Sequence, residues 1–228
     1  MKTLTVTSLQ NIGLTTVEVK FKPQFDASYL AGQYIVVVAP ISKDVYYFSM
    51  ASAPSDYGEI SIHIGDVRST TKAKQLVAEM KVAGFAFCEG VGGNAYLRDT
   101  DRPMILIAGG SGYSYARSLL LQELSTERSR TITLIWGGED VDALYEMDEL
   151  QSLEKGAQRL NFIPVLSRGD KPVNGFIGNL LKVSYDLALD FSAADIYVCG
   201  RPEMVRSCKQ HMLKYLAVDV EHFYSDVE

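Results

Sequence analysis

Three glycines close together, Gly109, Gly110 and Gly112, punctuate the segment Arg102–Leu121, which reads RPMILIAGGSGYSYARSLLL. The apolar run Met104–Ala108 before them has β-branched members, as does a strand buried on both faces of a parallel sheet. After them Tyr115–Leu121 continues the apolar content at helical spacing, with Ser114 in N-cap position. Glycine lets a ligand approach the backbone, and the amides opening a helix favour an anion such as a pyrophosphate. The chemistry this spacing suits is nucleotide binding. Many α/β units turn a corner in the same way, however. The third glycine of the dinucleotide fingerprint is also missing, since Tyr115 stands where it belongs. On this segment alone both readings stay open.

The elements that must position such a loop change character along the chain. Up to about residue 98 there are short runs rich in Val, Ile, Thr, Tyr and Phe: Thr3–Ser8, Val17–Lys22, Tyr34–Ala39, Tyr46–Ala51, Glu59–Ile64 and Phe85–Glu89. Turn signals separate them at Asn11-Ile12-Gly13, Ala31-Gly32-Gln33, Pro40, Pro54-Ser55-Asp56 and Tyr57-Gly58. This spacing predicts a small antiparallel barrel, here of six strands. One helix interrupts it, capped at Ser69-Thr70-Thr71, running to about Lys81 and turning Ala73, Leu76, Val77 and Met80 to one side. From Arg102 onward apolar runs at Met104–Ala108, Ile132–Trp136, Phe162–Leu166 and Ile196–Cys199 alternate with helical segments at Ser114–Leu124, Met147–Glu154, Asn179–Leu187 and Pro202–Leu216. Alternation predicts a parallel sheet with crossovers, whose ligands collect at the carboxyl ends of the strands. Those ends carry Gly109-Gly110, Gly137-Gly138, Ser167-Arg168-Gly169 and Gly200-Arg201-Pro202. The expected division is 1–98 for a β domain and 99–228 for an α/β domain.

Composition narrows the function classes. The 228 residues suit two domains, and a net charge of -6 leaves no electrostatic footprint for nucleic acid. No window approaches the ~20 apolar residues of a membrane span. The polar start MKTLTVTSLQ lacks a signal peptide's apolar centre, so the cytoplasm is the expected compartment. Cys88, Cys199 and Cys208 are odd in number and far apart, against a disulfide framework or a metal cluster. His63, His211 and His222 are scattered without metal-ligand spacing.

A β barrel followed by an α/β nucleotide unit, with these particular turns, resembles the ferredoxin-NADP reductase superfamily over nearly the whole chain. Tyr46-Tyr47-Phe48-Ser49-Met50-Ala51-Ser52 is similar to its flavin-binding strand and Ala31-Gly32-Gln33-Tyr34 to the turn before it. Gly109-Gly110-Ser111-Gly112 is similar to its pyridine-nucleotide loop, and Cys199-Gly200-Arg201-Pro202-Glu203-Met204 to the C-G-P-P-x-M element beside the nicotinamide. The runs FSMAS, His63-Ile64-Gly65 and RPMILIAGGSGYSYARS most resemble the bacterial NAD(P)H:flavin oxidoreductases, and the short C-terminus their luciferase-associated branch. The resemblance implies hydride transfer from nicotinamide C4 to flavin N5, with two flat rings stacked in contact. It implies Ser49 as the catalytic residue, its hydroxyl bonding N5. Tyr34, Tyr46 and Phe48 are then walls of the flavin site, and backbone around Phe48–Met50, His63, Ile64 and Gly65 meets the polar edge of the ring. NADH falls to Gly109, Gly110, Ser111, Gly112, Tyr113 and Ser114 on one side and to Cys199, Gly200, Arg201, Pro202, Glu203 and Met204 on the other. Read from the residues alone, the aromatics and Ser49 simply alternate across a half-buried strand, His63 packs against the barrel, and Cys199 is a small core hydrophobe.

Two departures from the family pattern carry weight. Tyr46 stands where many members place an arginine that clamps the flavin phosphate, a contact of ~1.5 to 3 kcal/mol. Arg68, Lys72 and Lys74 replace part of that grip or form a solvated face. At the other end Phe223-Tyr224-Ser225-Asp226-Val227-Glu228 stops short of the aromatic that related reductases stack on the flavin; Tyr224 is either a lid or core of a last strand. Both predict FMN or riboflavin as a diffusible substrate. Gly137-Gly138-Glu139-Asp140 puts acids where a related reductase has arginine, which predicts NADH over NADPH. The expectation is thus an NADH-dependent flavin reductase releasing reduced flavin, with a luciferase as possible acceptor. The alternatives are an electron-transfer reductase with tightly bound flavin and a flavin carrier without turnover.

Overall fold

In the computed structural model, which describes residues 1–54, 58–172 and 174–227, the two halves form two six-stranded sheets. Expected turn residues Ser55, Asp56 and Tyr57, and the terminal Glu228, lie outside the described residues.

Period-two alternation builds the first sheet. In β2 (Val17–Pro23), Val17, Val19 and Phe21 are buried while Glu18 and Lys20 between them are not. With β1 (Lys2–Asn11), β3 (Tyr34–Val38), β4 (Val45–Ser49), β5 (Ile60–Ile64) and β6 (Phe85–Gly92) it forms the order β4-β3-β6-β1-β2-β5, antiparallel at every pairing. An isolated bridge between Met50 and Ile62 joins the two outer strands and closes the barrel. That closure also ends β4 at Ser49, before the expected Ala51: Met50 turns away to pair with Ile62, and the Ala51 amide bonds the Ser61 carbonyl.

Helix α1 (Thr71–Ala83) plugs the barrel with Leu76 and Met80. Its start corrects the expected Ser/Thr cap, because Thr70 makes no side-chain cap bond. The amides of Ser69 and Thr70 instead bond the Asp66 carbonyl, in a turn where Asp66 takes φ 57°. Its end is held by Gly84, left-handed at φ 75°, whose amide bonds the Met80 carbonyl.

The second sheet comprises β7 (Met104–Gly109), β8 (Ile132–Gly138), β9 (Leu160–Leu166), β10 (Phe176–Ile177), β11 (Asp195–Cys199) and β12 (Phe223–Tyr224), in the order β10-β9-β8-β7-β11-β12 and parallel throughout. Alternate residues of β7 serve opposite layers. Met104, Leu106 and Ala108 pack with α2 (Tyr113–Leu124) and α3 (Met147–Gly156). Ile105 and Ile107 pack with α4 (Leu180–Asp186) and α5 (Pro202–Tyr215). Both faces are therefore covered, which is why the strands read as continuous apolar runs. Tyr224 packs against this core, its ring 4.7 Å from that of Tyr197, which favours the packing reading of the last strand.

Helix α2 is also the seam between the two halves. Tyr115, where a third glycine was missing, packs with Ala31 and Ala95 and donates its hydroxyl proton to the Ala95 carbonyl at 2.6 Å. The departure from the dinucleotide fingerprint is thus a contact to the barrel. Buried charge collects far from the glycine ends, at the amino ends of the strands. Glu123 accepts from Arg128, Arg130 and Arg159, while Asp195 meets Arg130, Arg102, Thr100 and His222.

Candidate active site

The carboxyl ends of β7, β8 and β11 lie in register, Gly109 beside Gly137 and Ala108 beside Cys199. A Cβ on Gly112 would sit 2.5 Å from the Cys199 carbonyl oxygen, so the loop after β7 and the end of β11 meet backbone to backbone. A Cβ on Gly109 or Gly200 would lie 2.7 Å from the side chain of Met204, which fills the space between them. These glycines exist for close packing. Gly110 differs: nothing lies within 4 Å of its Cβ position, and it holds φ +55°. Its carbonyl accepts the indole N–H of Trp136 at 2.9 Å.

The loop corrects the expected cap. Gly110–Gly112 forms a 3-10 turn that runs straight into α2, with Gly112 at the cap and Ser114 already inside the helix, its hydroxyl donating to the Ser111 carbonyl. Tyr113 does not face the loop's ligand side. Its ring is buried and stacks on Trp136 at 3.9 Å, and its hydroxyl donates to Glu146 at 2.8 Å.

From the barrel, β4 brings Ser49 to this place. The Ser49 hydroxyl lies beside the Cys199 thiol. Burial pushes that thiol up to about 11, against the pull of Ser49 and the Gly200 amide, so Cys199 is a neutral thiol at physiological pH. Gly65, after β5, packs on Ser111 of the loop, where an added Cβ would come within 3.0 Å. Ser49, Gly65, Ser111, Cys199 and Gly200 thus form one cluster where the halves meet.

Alternation sorts the neighbours of Ser49. Tyr47 and Val45 share its side of β4 and are exposed, and Tyr34 meets Tyr47 edge-on at 5.7 Å. Tyr34 rests on Gly92 and Gly93, which have no side chain to displace it. Tyr46 and Phe48 lie on the opposite side, stacked at 6.0 Å and packed against the barrel core. The side chains of Met50 and Ile64 are in that core, leaving only their backbone for a ligand.

His63 is likewise withdrawn. Its Nδ1 pairs with the Tyr145 hydroxyl at 2.9 Å, its ring faces Tyr113, and Glu18 and Glu146 stand at 3.9 and 4.0 Å. Burial, followed by the charges of Arg117 and Lys20, drives it down to about 3, so it is neutral.

Of the basic residues near the first helix, Arg68, Lys72 and Lys74 are all exposed. Arg201 caps α5 from the surface, with Pro202 and Glu203 exposed beside it. At the end of β8 the acids are not alone: Arg168 lies 3.3 Å from Glu139 and 2.9 Å from Asp140. Trp136, Tyr47, Glu146, Arg117 and Arg168 form no local motif, and reading the sequence passed over their part in this region.

Comparison with known proteins defines the class first. Residues 106–210 match the oxidoreductase NAD-binding domain. The fold is that of an Amycolatopsis cytochrome P450 reductase, with TM-score 0.85 and 21% identity over 98% of this chain and 68% of that one. It is equally that of the flavohem-like FAD/NAD-binding domain of nitric oxide dioxygenase from Vibrio cholerae, with TM-score 0.82 and 20% identity over 100% of this chain and 98% of the other. This is the two-domain architecture of the ferredoxin-NADP reductase superfamily.

Within it the chain belongs to the NAD(P)H-flavin reductase family. It is 33% identical to the NAD(P)H-flavin reductase of Aliivibrio fischeri, over 97% of this chain and 95% of that protein. It is 30% identical to that of Vibrio harveyi, over 97% and 95%.

Proposed function

We propose that this protein transfers a hydride from NADH to free FMN or riboflavin and releases the reduced flavin. The observation that carries the reading is that barrel and parallel sheet meet at Gly65 on Ser111 and at Ser49 beside Cys199, because this brings the flavin-type strand to the nucleotide-type loop. Two planar substrates held on either side of that contact lie against each other, and the reaction needs just that overlap. In this reading the Ser49 hydroxyl bonds flavin N5 and orients the ring. Tyr34 walls the site, the Tyr46–Phe48 pair backs the strand from its other side, and backbone groups of Phe48–Met50 and His63–Gly65 meet the polar edge. The amides of Gly109–Ser114 receive the pyrophosphate of NADH, while Cys199–Met204 bound the nicotinamide. NADH supplies one hydride, which carries both electrons, and leaves as NAD+, while the flavin leaves reduced.

Free rather than resident flavin is supported by Tyr46, which offers no charge to a phosphate, and by the exposed positions of Arg68, Lys72 and Lys74. NADH over NADPH is supported by Glu139 and Asp140. Arg168 offsets one of these two charges, and the remaining negative charge disfavours a ribose phosphate. A luciferase-type acceptor and a cytoplasmic location rest on the resemblance and on composition. Among the described residues no helix is long and apolar enough to cross a membrane.

The test is NADH oxidation, followed by loss of nicotinamide absorbance, with and without added FMN or riboflavin. Flavin-dependent turnover and a protein left colourless by dialysis are expected. Stoichiometric retained flavin would overturn the substrate reading, and no flavin stimulation would overturn the enzyme. Ser49→Ala lowers kcat about tenfold to a hundredfold, the value of one hydrogen bond to a reacting ring. An unchanged kcat would remove Ser49 from the chemistry.

A further inference from the structure

We propose that Arg117 and Ser118 are positioning residues that hold the Ser49 strand in register with the nucleotide loop; the proposal rests on the hydride-transfer reading above. Both sit on α2, the helix that leaves the loop at Gly112, and lie about 9 Å along its axis. Arg117 donates from Nη1 to the Ala51 carbonyl at 2.8 Å, and Ser118, fully buried, donates to the Ser52 carbonyl at 2.6 Å. Ala51 and Ser52 follow Ser49 directly through Met50. The barrel pins the same two residues from its own side: the Ala51 amide bonds the Ser61 carbonyl, and the Ser52 hydroxyl accepts the Ser61 amide at 3.0 Å.

Arg117 does not reach Ala51 as a free surface side chain. Its Nε lies between the two oxygens of Glu146, at 3.2 and 2.8 Å, and Glu146 also accepts the Tyr113 hydroxyl. Tyr113 stacks on Trp136, whose indole N–H holds the Gly110 carbonyl. Contacts therefore run in a circuit from Gly110 through Trp136, Tyr113, Glu146 and Arg117 to Ala51, and back along the strand to Ser49 and Cys199. The circuit couples the donor loop to the acceptor strand through a rigid helix. Packing alone would hold the halves together, but it would not fix where the end of β4 sits. Two hydrogen bonds from one helix to consecutive carbonyls do fix it. Hydride transfer depends steeply on separation, and a displacement near 1 Å costs about a hundredfold.

Arg117→Ala, Arg117→Lys and Ser118→Ala in the full chain test this. Each is assayed for kcat, for KM of NADH and of flavin, for the isotope effect with NADH deuterated at the transferred position, for thermal midpoint, and for amide exchange at residues 48–52 and 110–112. Arg117→Ala is expected to lower kcat about tenfold to a hundredfold, with KM values near wild type and a larger isotope effect. Its amides at 48–52 exchange faster while the rest of the barrel keeps its protection. Ser118→Ala shifts the same quantities in the same direction. Arg117→Lys, which still donates to Ala51, recovers most of kcat.

Wild-type kcat, isotope effect and exchange in both alanine variants would overturn the proposal, as would losses fully accounted for by an unfolded fraction. If the wild-type chain shows no flavin-dependent turnover, it is the function that fails. The exchange at 48–52 then still decides the positioning: faster in Arg117→Ala supports it, unchanged refutes it.

Discussion

Gly110 and Gly112 share one turn yet answer an added methyl for opposite reasons. At Gly112 the backbone is ordinary, φ −57°, but a Cβ falls 2.5 Å from the Cys199 carbonyl, and backbone cannot swing aside as a side chain does. At Gly110 the space is open and the conformation is the obstacle, φ +55°. Gly110→Ala therefore costs roughly 1–2 kcal/mol of stability through strain alone. Gly112→Ala costs about 1–3 kcal/mol by overpacking and in addition pushes the loop away from β11. Urea unfolding with NADH titration checks this. Gly112→Ala should lose more NADH affinity than Gly110→Ala at comparable stability, and the reverse order would contradict the packing argument. Gly109, Gly137 and Gly200 are crowded too, but by the flexible side chains of Met204 and Leu180, so a glycine-marked strand end is first a close-packing device.

At the scale of elements, Glu79 shows how a helix sets the entry of the flavin-type strand. From α1 it accepts the amides of Ile41 and Ser42 at 2.8 and 2.9 Å, in the turn between β3 and β4, and the amide side chain of Gln75. Burial alone would raise its pKa, but the backbone and side-chain bonds from Ser42, Gln75 and Ile41 outweigh it and hold the carboxyl at about 2. A carboxylate depressed on folding adds stability above its ordinary value of 4.5 and loses it as pH falls toward 2. Glu79→Ala should cost about 1–3 kcal/mol at pH 7, because two amides lose their acceptor. In urea midpoints the gap to wild type should narrow steadily between pH 4.5 and pH 2; a gap constant over that range would refute the assignment. This tie was not legible in the sequence, since it spans 38 residues, and nor were Trp136 to Gly110 across 26 or Arg117 to Ala51 across 66. What was legible was periodic: period two in the barrel and continuous apolar strands in the parallel sheet were both found. The local cap at Ser69-Thr70-Thr71 failed in that Thr70 makes no side-chain cap bond, while the amides of Ser69 and Thr70 close the preceding turn on the Asp66 carbonyl. Alternation along β4 gives Tyr47 rather than Tyr46 the side of Ser49, a sorting of faces that the aromatic run by itself does not display.

For the molecule as a whole, the junction between barrel and parallel sheet is polar and closed around a neutral imidazole. His63 comes from β5, Tyr145 and Glu146 from the loop before α3, Arg117 from α2 and Glu18 from β2, so four segments of both halves meet at one ring. Opening the junction would let His63 take up a proton at its ordinary 6.5, whereas the closed protein resists to about 3. Since the folded value is lowered, the unfolded chain binds more protons in this interval, and stability falls as the pH falls. The loss begins below 6.5, with a limiting slope of about 1.4 kcal/mol per pH unit. It precedes the Glu79 window, which opens only at 4.5, so the two are separable on one titration. His63→Gln keeps a donor for the Tyr145 hydroxyl and cannot titrate. Its urea midpoint should therefore lie below wild type at pH 8 and decline less between pH 6.5 and 5. The same decline in both proteins would mean that the junction opens without His63 taking up a proton, and the closed interface would then owe its pH response to the surface carboxylates.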